Sequence, residues 1–534
     1  MLTTIDSLAR SVKMFAPMNA SEHCEASSLG IVVERVPLPG QTAANTLACT
    51  PELLLEVFMA GYRTVPDAEY DIFCRNISSV CHLWRSVALD TSELWTRVRI
   101  PVDHDVALSG VYRLLGLSKR LPLNVHIFRG SRDNGESYEL ERARISAIMQ
   151  LLIPHVYRWH SLHVDVKFLS SLQVVCDTCN LPVPLLDSMS LLCQEWNPEV
   201  LPVDLPGLII PPVRNVVART LRMGPNFSAP KPNRIRIAAT TTLQNLLPAF
   251  RQARELEVVY CNARGGGVGP VVFMQNLAHY HRLASLTLRD QMLQPQLKSV
   301  DVVDEPVLLA GLVGGTRLES LEEVTISNFA PGYACYVLRD MVAPKFRHLR
   351  IIGLSPQNIR PMLKTLHARQ TPLCSFNRIS LDQLPFDDNL VDALTYAETC
   401  EHLRIRGFVT ACFFEDMSEV YLGDAHMTDN YESWVCPRLR TLDVDSAMMD
   451  LCAIRRLVEA RCSSTDCTRS PDFRERKPAA LQELHITSFD VLASEDREWF
   501  EKHLKIFTWT TKLPCSPKIS TPVHPSNSTS YAYI

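Results

Sequence analysis

A short apolar segment of the form Leu-x-x-Leu-x-Val/Ile/Leu returns again and again in the second half of this chain, and it limits the possible folds more than any other feature. It occupies residues 283–288, 321–326, 346–351, 376–381, 439–444 and 481–486, as in Leu283-Ala284-Ser285-Leu286-Thr287-Leu288. Each segment ends in an alternation of apolar and polar residues, which predicts a strand with one buried face. Between these strands lie helical patterns at 271–281, 333–341, 359–368 and 448–460. A strand and a helix recurring at roughly 25 to 40 residues predict an α/β solenoid of degenerate leucine-rich-repeat type over 100–513. A doubly wound sheet is the competing fold, and it would use fewer and longer strands.

The N-terminal part has a different pattern. In Thr50-Pro51-Glu52-Leu53-Leu54-Leu55-Glu56-Val57-Phe58, Thr50 can cap the first free amides of a helix, Pro51 suits its first position and Glu52 complements its dipole. Leu53 with Val57 and Leu54 with Phe58 stand four apart and share a broad apolar face. Phe73, Ile77, Val80, Cys81, Trp84 and Ala88 recur at helical intervals, and Leu94-Trp95 follows. So much apolar surface on so small a segment implies a partner protein, although ordinary internal packing produces the same spacing.

Pro-Glu-Leu-Leu-x-Glu-Val-Phe, then Val-Cys-x-x-Trp-Arg, then Leu-Trp, between about Leu47 and Val98, resembles the F-box. Two features depart from the family pattern: Cys49-Thr50-Pro51 replaces the usual Leu-Pro opening, and the connection from Ala60 to Tyr70 is longer. The resemblance implies a small all-α three-helix module at 46–99 that docks on a Skp-type adaptor and through it on a cullin ubiquitin ligase. Carried over to this chain, the adaptor-binding residues are Pro51, Leu53, Leu54, Val57, Phe58, Val80, Cys81, Trp84, Leu94 and Trp95, which the module shares with its own small core. Leu117-Ser118-Lys119-Arg120-Leu121-Pro122-Leu123-Asn124-Val125 and the stretch from Arg158-Trp159-His160 onward look like the sequence that follows the F-box in a large basidiomycete group. The overall class expected is therefore α+β. The resemblance implies a substrate-recognition adaptor of SCF type, with a target protein bound by the repeats. The alternative is a protein-interaction scaffold outside any ligase.

Composition narrows the partners. A formal net charge of -4 gives no concentrated basic field, so nucleic acid is not expected. No apolar run reaches the roughly 18 residues that span a bilayer, so no membrane partner is expected. The 17 cysteines are odd in number and irregularly spaced, which fits reduced thiols in the cytoplasm or nucleus. Residues 1–45 read as a disordered arm and 514–534, rich in Ser, Thr and Pro, as a disordered tail. Residues 201–232 read as a proline-rich connection and 462–479 as an exposed insertion.

No catalytic constellation emerges, and neither cofactor nor metal is expected. Gly265-Gly266-Gly267-Val268-Gly269 lacks the Gly-Lys-Ser/Thr of a phosphate loop. Cys176-Asp177-Thr178-Cys179 has no second pair to complete a zinc site, and Cys193, Cys462 and Cys467 do not supply one. His160 with His163 and His279 with His281 lack the spacing and the Glu of a helical metalloprotease motif. The chain also lacks a Gly-x-Ser-x-Gly elbow.

Overall fold

The computed structural model describes residues 50–102, 108–129, 137–195, 223, 227–229, 232–238, 250–260, 270–290, 315–368, 376–384, 390–407, 409–422, 432–446, 449–463 and 478–512. The expected arm 1–45, the tail 514–534, the glycine run 265–269, and most of the connection 201–232 and the insertion 462–479 lie outside them. Contacts divide the described residues into two compact units. One reaches Pro101 and takes in 108–126, and the other holds Val102 and the residues from Ile127 onward.

The first unit opens with α1 (Pro51–Thr64), α2 (Tyr70–Ser79) and α3 (His82–Asp90). Thr50 Oγ1 accepts from the Leu53 amide at 3.4 Å, Pro51 occupies the first turn, and Pro66 follows the C-terminal cap, so α1 has clear start and stop signals. Gly61 lets α2 approach closely, since a Cβ there would lie 2.6 Å from Cζ of Phe73. Leu54, Phe58, Tyr70, Cys74, Ile77, Ala88, Leu94 and Trp95 form one buried cluster. Trp95 Nε1 donates to the Ala88 carbonyl at 2.8 Å and the Tyr70 hydroxyl donates to the Leu94 carbonyl, so the polar tips of both rings are satisfied within the core. The chain then runs into β1 (Arg97–Pro101), α4 (Leu108–Leu117) and β2 (Leu123–Phe128). Leu114 and Leu117 of α4 pack on the same cluster, and the Asn124 amide donates to the Thr96 carbonyl at 2.8 Å.

The second unit continues with α5 (Tyr138–Leu152), β3 (Trp159–Phe168), α6 (Leu169–Thr178), β4 (Ser188–Glu195), β5 (Arg234–Ala238), β6 (Glu255–Tyr260), α7 (Pro270–Leu277) and β7 (Ser285–Asp290). Next come β8 (Thr316–Arg317), β9 (Glu323–Ser327), α8 (Pro331–Asp340), β10 (Met341–Val342), β11 (His348–Ile352), α9 (Pro356–Ala368) and β12 (Arg378–Leu384). The chain proceeds through α10 (Leu390–Leu394), β13 (His402–Gly407), α11 (Ala411–Asp416), β14 (Val420–Leu422), β15 (Glu432–Trp434), β16 (Thr441–Asp445), α12 (Leu451–Ser463), β17 (Glu483–Ser488), α13 (Ser494–His503) and β18 (Ile506–Thr511). From β3 to β18 the main strands pair in chain order, all parallel, while β8 with β10 and β14 with β15 form separate two-stranded pairs.

This architecture overturns the expected α+β class, an all-α module followed by a leucine-rich-repeat solenoid. The second unit is an α/β fold built on a large parallel sheet in which twelve of the described strands, from β3 to β18, pair side by side. The Leu-x-x-Leu-x-Ile segments do end in strands. That pattern reports one buried face per strand and is silent on how strands assemble, and here parallel neighbours are commonly joined by helical crossovers. The helical segment is likewise not an all-α module, because its compact unit includes β1, α4 and most of β2.

Burial alternates along the strands, as in His348–Ile352 and Thr441–Asp445, so one face is apolar and the other polar. Four successive strands leave the sheet through residues with positive φ: Asn328 (47°), Gly353 (68°), Gln383 (55°) and Gly407 (147°). Gln383 is also the point where the register with β13 slips, between the pairs Asp382 with Arg406 and Leu384 with Gly407.

Candidate functional site

The resemblance-derived residues separate into an inner and an outer set. Leu54, Phe58, Leu94 and Trp95 are buried in the cluster of the first unit. Val57 and Trp84 are half-buried, and the Trp84 ring meets Phe58 edge-on at 5.1 Å. Pro51, Leu53, Val80 and Cys81 are exposed, with Leu53 at 41% and Val80 at 58%. Leu55, Ile72 and Leu83 are exposed too, although the helical stripes do not single them out. Their signal in the sequence is that they are large apolar residues lying off the buried stripe.

The exposed set is held on a rigid base. Cys81 takes extended backbone between α2 and α3, and Arg85 Nε donates to the Ser78 carbonyl at 2.9 Å, satisfying the end of α2. Arg97 Nη1 lies 2.9 Å from Asp67 Oδ1, and its guanidinium stacks over the Tyr62 and Tyr70 rings at 4.5 and 5.2 Å. Burial pushes the Cys74 thiol up to about 12, partly offset by its hydrogen bond with Tyr70, and burial raises the Tyr70 phenol as well.

A raised folded pKa gives stability that is complete below the unfolded value, near 8.5 for a thiol, and lost as pH rises toward the folded one. The first unit is therefore expected to lose stability between about pH 9 and pH 12. Cys74→Ala should make that loss less steep while leaving the phenol's contribution. Urea midpoints measured at stepped pH check this, and an identical alkaline slope in the variant would contradict it.

The second candidate surface is the polar face of the sheet, which sequence reading missed. Parallel register places Arg236 beside Glu257, Arg350 beside Ser380 and Ser380 beside Arg404, then Arg404 beside Asp443 and Asp443 beside His485. Ion pairs cross between strands: Arg236 to Glu257 at 3.1 Å, Arg350 to Asp382 at 2.6 Å and Arg404 to Asp443 at 3.1 Å. Hydrogen bonding with the His348 ring holds the Glu323 carboxyl below its usual range. Asp382 is buried beneath Arg350, while the half-buried Arg236 and Arg404 pairs contribute about 0–1 kcal/mol each. Their main effect is a face of interleaved charges that a complementary surface can read.

The remaining candidates have little reactive character. Cys176 and Cys179 are buried, and burial pushes the first thiol well above its ordinary value and the second up to about 12, far from the thiolate that a redox pair or zinc site uses. Buried Cys193 donates its thiol to the Lys167 carbonyl at 3.3 Å. His160 and His163 lie on β3, and His279 and His281 follow α7. Among the described residues, no group of three His, Cys, Asp or Glu side chains is placed to hold a metal ion, and no helix is long and apolar enough to cross a membrane. No protein-family model matches the chain, and no curated protein matches it in sequence.

Proposed function

We propose that this protein is a substrate-recognition adaptor of a cullin-based ubiquitin ligase, working in the cytoplasm or nucleus. In this reading the N-terminal helical unit docks on a Skp-type adaptor and the polar face of the sheet receives a target protein. The observation that carries it is the exposure of Leu53, Leu55, Ile72, Val80 and Leu83 on a unit whose core is already filled by Leu54, Phe58 and Trp95. Apolar side chains left outside a complete core are what a docking helix pair presents to a partner. Their positions coincide with the segment that resembles the F-box. The protein itself then breaks no bond: it raises the local concentration of a target lysine near a charged ubiquitin-conjugating enzyme.

The test is capture of a Skp-type adaptor and a cullin by the tagged full chain, compared with a Leu53→Asp, Val80→Asp variant. Both positions are exposed, so the variant should keep its helical signal, while losing about 2 kcal/mol or more of docking energy corresponds to roughly a thirtyfold weaker capture. Arg63→Ala, at an exposed charge near the end of α1, should change capture little. Failure of the unmodified chain to capture adaptor or cullin would overturn the reading. Undiminished capture by the double variant would move the docking surface elsewhere.

A further inference from the structure

We propose that a cavity at the C-terminal ends of β11, β12 and β13 is a binding site for a carboxylate carried on an apolar stem. It is an open cleft of about 420 Å³, lined by Arg350, Asp382, Arg406, Asp445, Phe489 and Lys512, among others. The parallel register brings residues from the ends of neighbouring strands side by side, so side chains from separate strands converge on one cleft there.

The charges in the cavity are unevenly used. Arg350 is committed to Asp382, with Nε at 2.7 Å and Nη2 at 2.6 Å from the same Oδ2. Lys512 Nζ donates to Asp445 Oδ1. Arg406 Nε lies 3.8 Å from Asp382 Oδ1, beyond hydrogen-bond distance, and both atoms are enclosed without a hydrogen-bond partner. The Nε is therefore turned inward on Asp382, while the Arg406 side chain as a whole is 42% exposed at the mouth of the cavity, and the outer nitrogens of such a fork are the donors that recognise a carboxylate.

The count of charges selects the valence of the ligand. Three cations, Arg350, Arg406 and Lys512, face two carboxylates, Asp382 and Asp445, which leaves a single positive charge in excess. A monoanion neutralises that excess, whereas a dianionic phosphate overshoots it and meets repulsion from both aspartates. The apolar stem follows from Phe489, 48% exposed, and from Ile352, which line the same space.

The walls are fixed before any ligand arrives. Gln383 occupies the bulge with φ of 55°. The Phe489 turn is pinned by Asp490, whose Oδ2 accepts from Ser488 Oγ and from the Met449 amide, each at 3.2 Å, and whose carbonyl accepts from Trp509 Nε1 at 3.0 Å. Preorganisation of this kind limits the ordering entropy that binding would otherwise cost. The inference does not depend on adaptor docking, because the site lies wholly within the second unit and its ligands are measured on the purified chain.

The experiment is calorimetric titration of the full chain with 3-phenylpropionate, 3-phenylpropionamide and inorganic phosphate. Alongside them run a hexapeptide ending in a free Phe carboxylate, its C-terminal amide, and an amidated peptide with an internal Glu between leucines. The expected result is binding of 3-phenylpropionate but not of 3-phenylpropionamide or phosphate, weakened about tenfold or more by Arg406→Gln. Phe489→Ala, at an exposed ring, should weaken it a few-fold while leaving the melting temperature unchanged. If only the free-ended peptide binds, the natural source is a chain terminus; if the internal-Glu peptide binds, it is an acidic side chain. Both results support the site. The proposal is overturned if no carboxylate binds at millimolar concentration, if the amide binds as well as the acid, if phosphate binds more tightly, or if Arg406→Gln changes nothing. The acid-against-amide comparison on the unmodified chain decides the matter even if Arg406→Gln does not fold.

Discussion

Phe58→Ala is expected to destabilise the N-terminal unit by about 3–5 kcal/mol, enough to unfold a small helical unit of ordinary stability. The ring is 1% exposed, meets Trp84 edge-on, and belongs to the same cluster as Leu54, Tyr70, Ile77 and Trp95, so its removal leaves a cavity with several walls. Leu53→Ala, five positions earlier on the same helix at 41% exposure, should change stability by no more than about 0.5 kcal/mol. Hydrogen exchange of the α1, α2 and α3 amides distinguishes the two: fast exchange for Phe58→Ala, near-native protection for Leu53→Ala. Equal protection in both would mean that α1 does not bury this face. The pair also separates folding from docking, since Leu53 can be lost from a partner surface while the unit stays intact.

How far such distinctions were legible in the sequence depends on the range of the interaction that decides them. Helix α1 was readable from Thr50, Pro51 and Glu52, because capping acts within one turn. Its inward side was only half readable. Leu53 with Val57 and Leu54 with Phe58 have the same spacing, yet the second pair is buried while Leu53 is exposed. Adjacent helical positions differ by about 100°, so the choice between them belongs to α2 and α3 and to the hydrogen bonds that Trp95 and Tyr70 make with distant carbonyls.

The strands show the same limit. Leu349 with Ile351 and Leu442 with Val444 mark buried faces by alternation alone, and β11 and β16 stand where that alternation places them. The assembly into one α/β sheet was not legible, because parallel pairing joins residues far apart in sequence through the register of backbone amides and carbonyls, which side-chain pattern does not encode. The cavity was hidden for the same reason. Arg350 reads as a solvent-facing residue of an amphipathic strand, Asp382, Arg406 and Asp445 fall outside the recurring strand segments, and only the register Ile352 with Asp382, Asp382 with Arg406 and Arg406 with Asp445 draws them together.

Gly353→Val should be among the most damaging single changes in the second unit, for two separable reasons. The residue has φ of 68°, a conformation that costs an L side chain about 1–3 kcal/mol and a β-branched one more. A Cβ there would also lie 1.9 Å from Oδ1 and 2.9 Å from Cγ of Asn328, which is held in its own positive-φ turn, and relieving such overpacking adds roughly 1–3 kcal/mol. The backbone cannot simply move aside. The Asn328 amide donates to the Ile352 carbonyl and the Gly353 amide donates to the Asp382 carbonyl, both at 2.9 Å, which ties the turn to strands on either side. The expected result is a urea midpoint lowered by the equivalent of about 2–6 kcal/mol. An Asn328→Gly, Gly353→Ala chain should recover the steric part and keep the loss due to φ. Midpoints for Gly353→Val and the unmodified chain that agree within error would mean that β11 does not leave the sheet through a left-handed turn at Gly353.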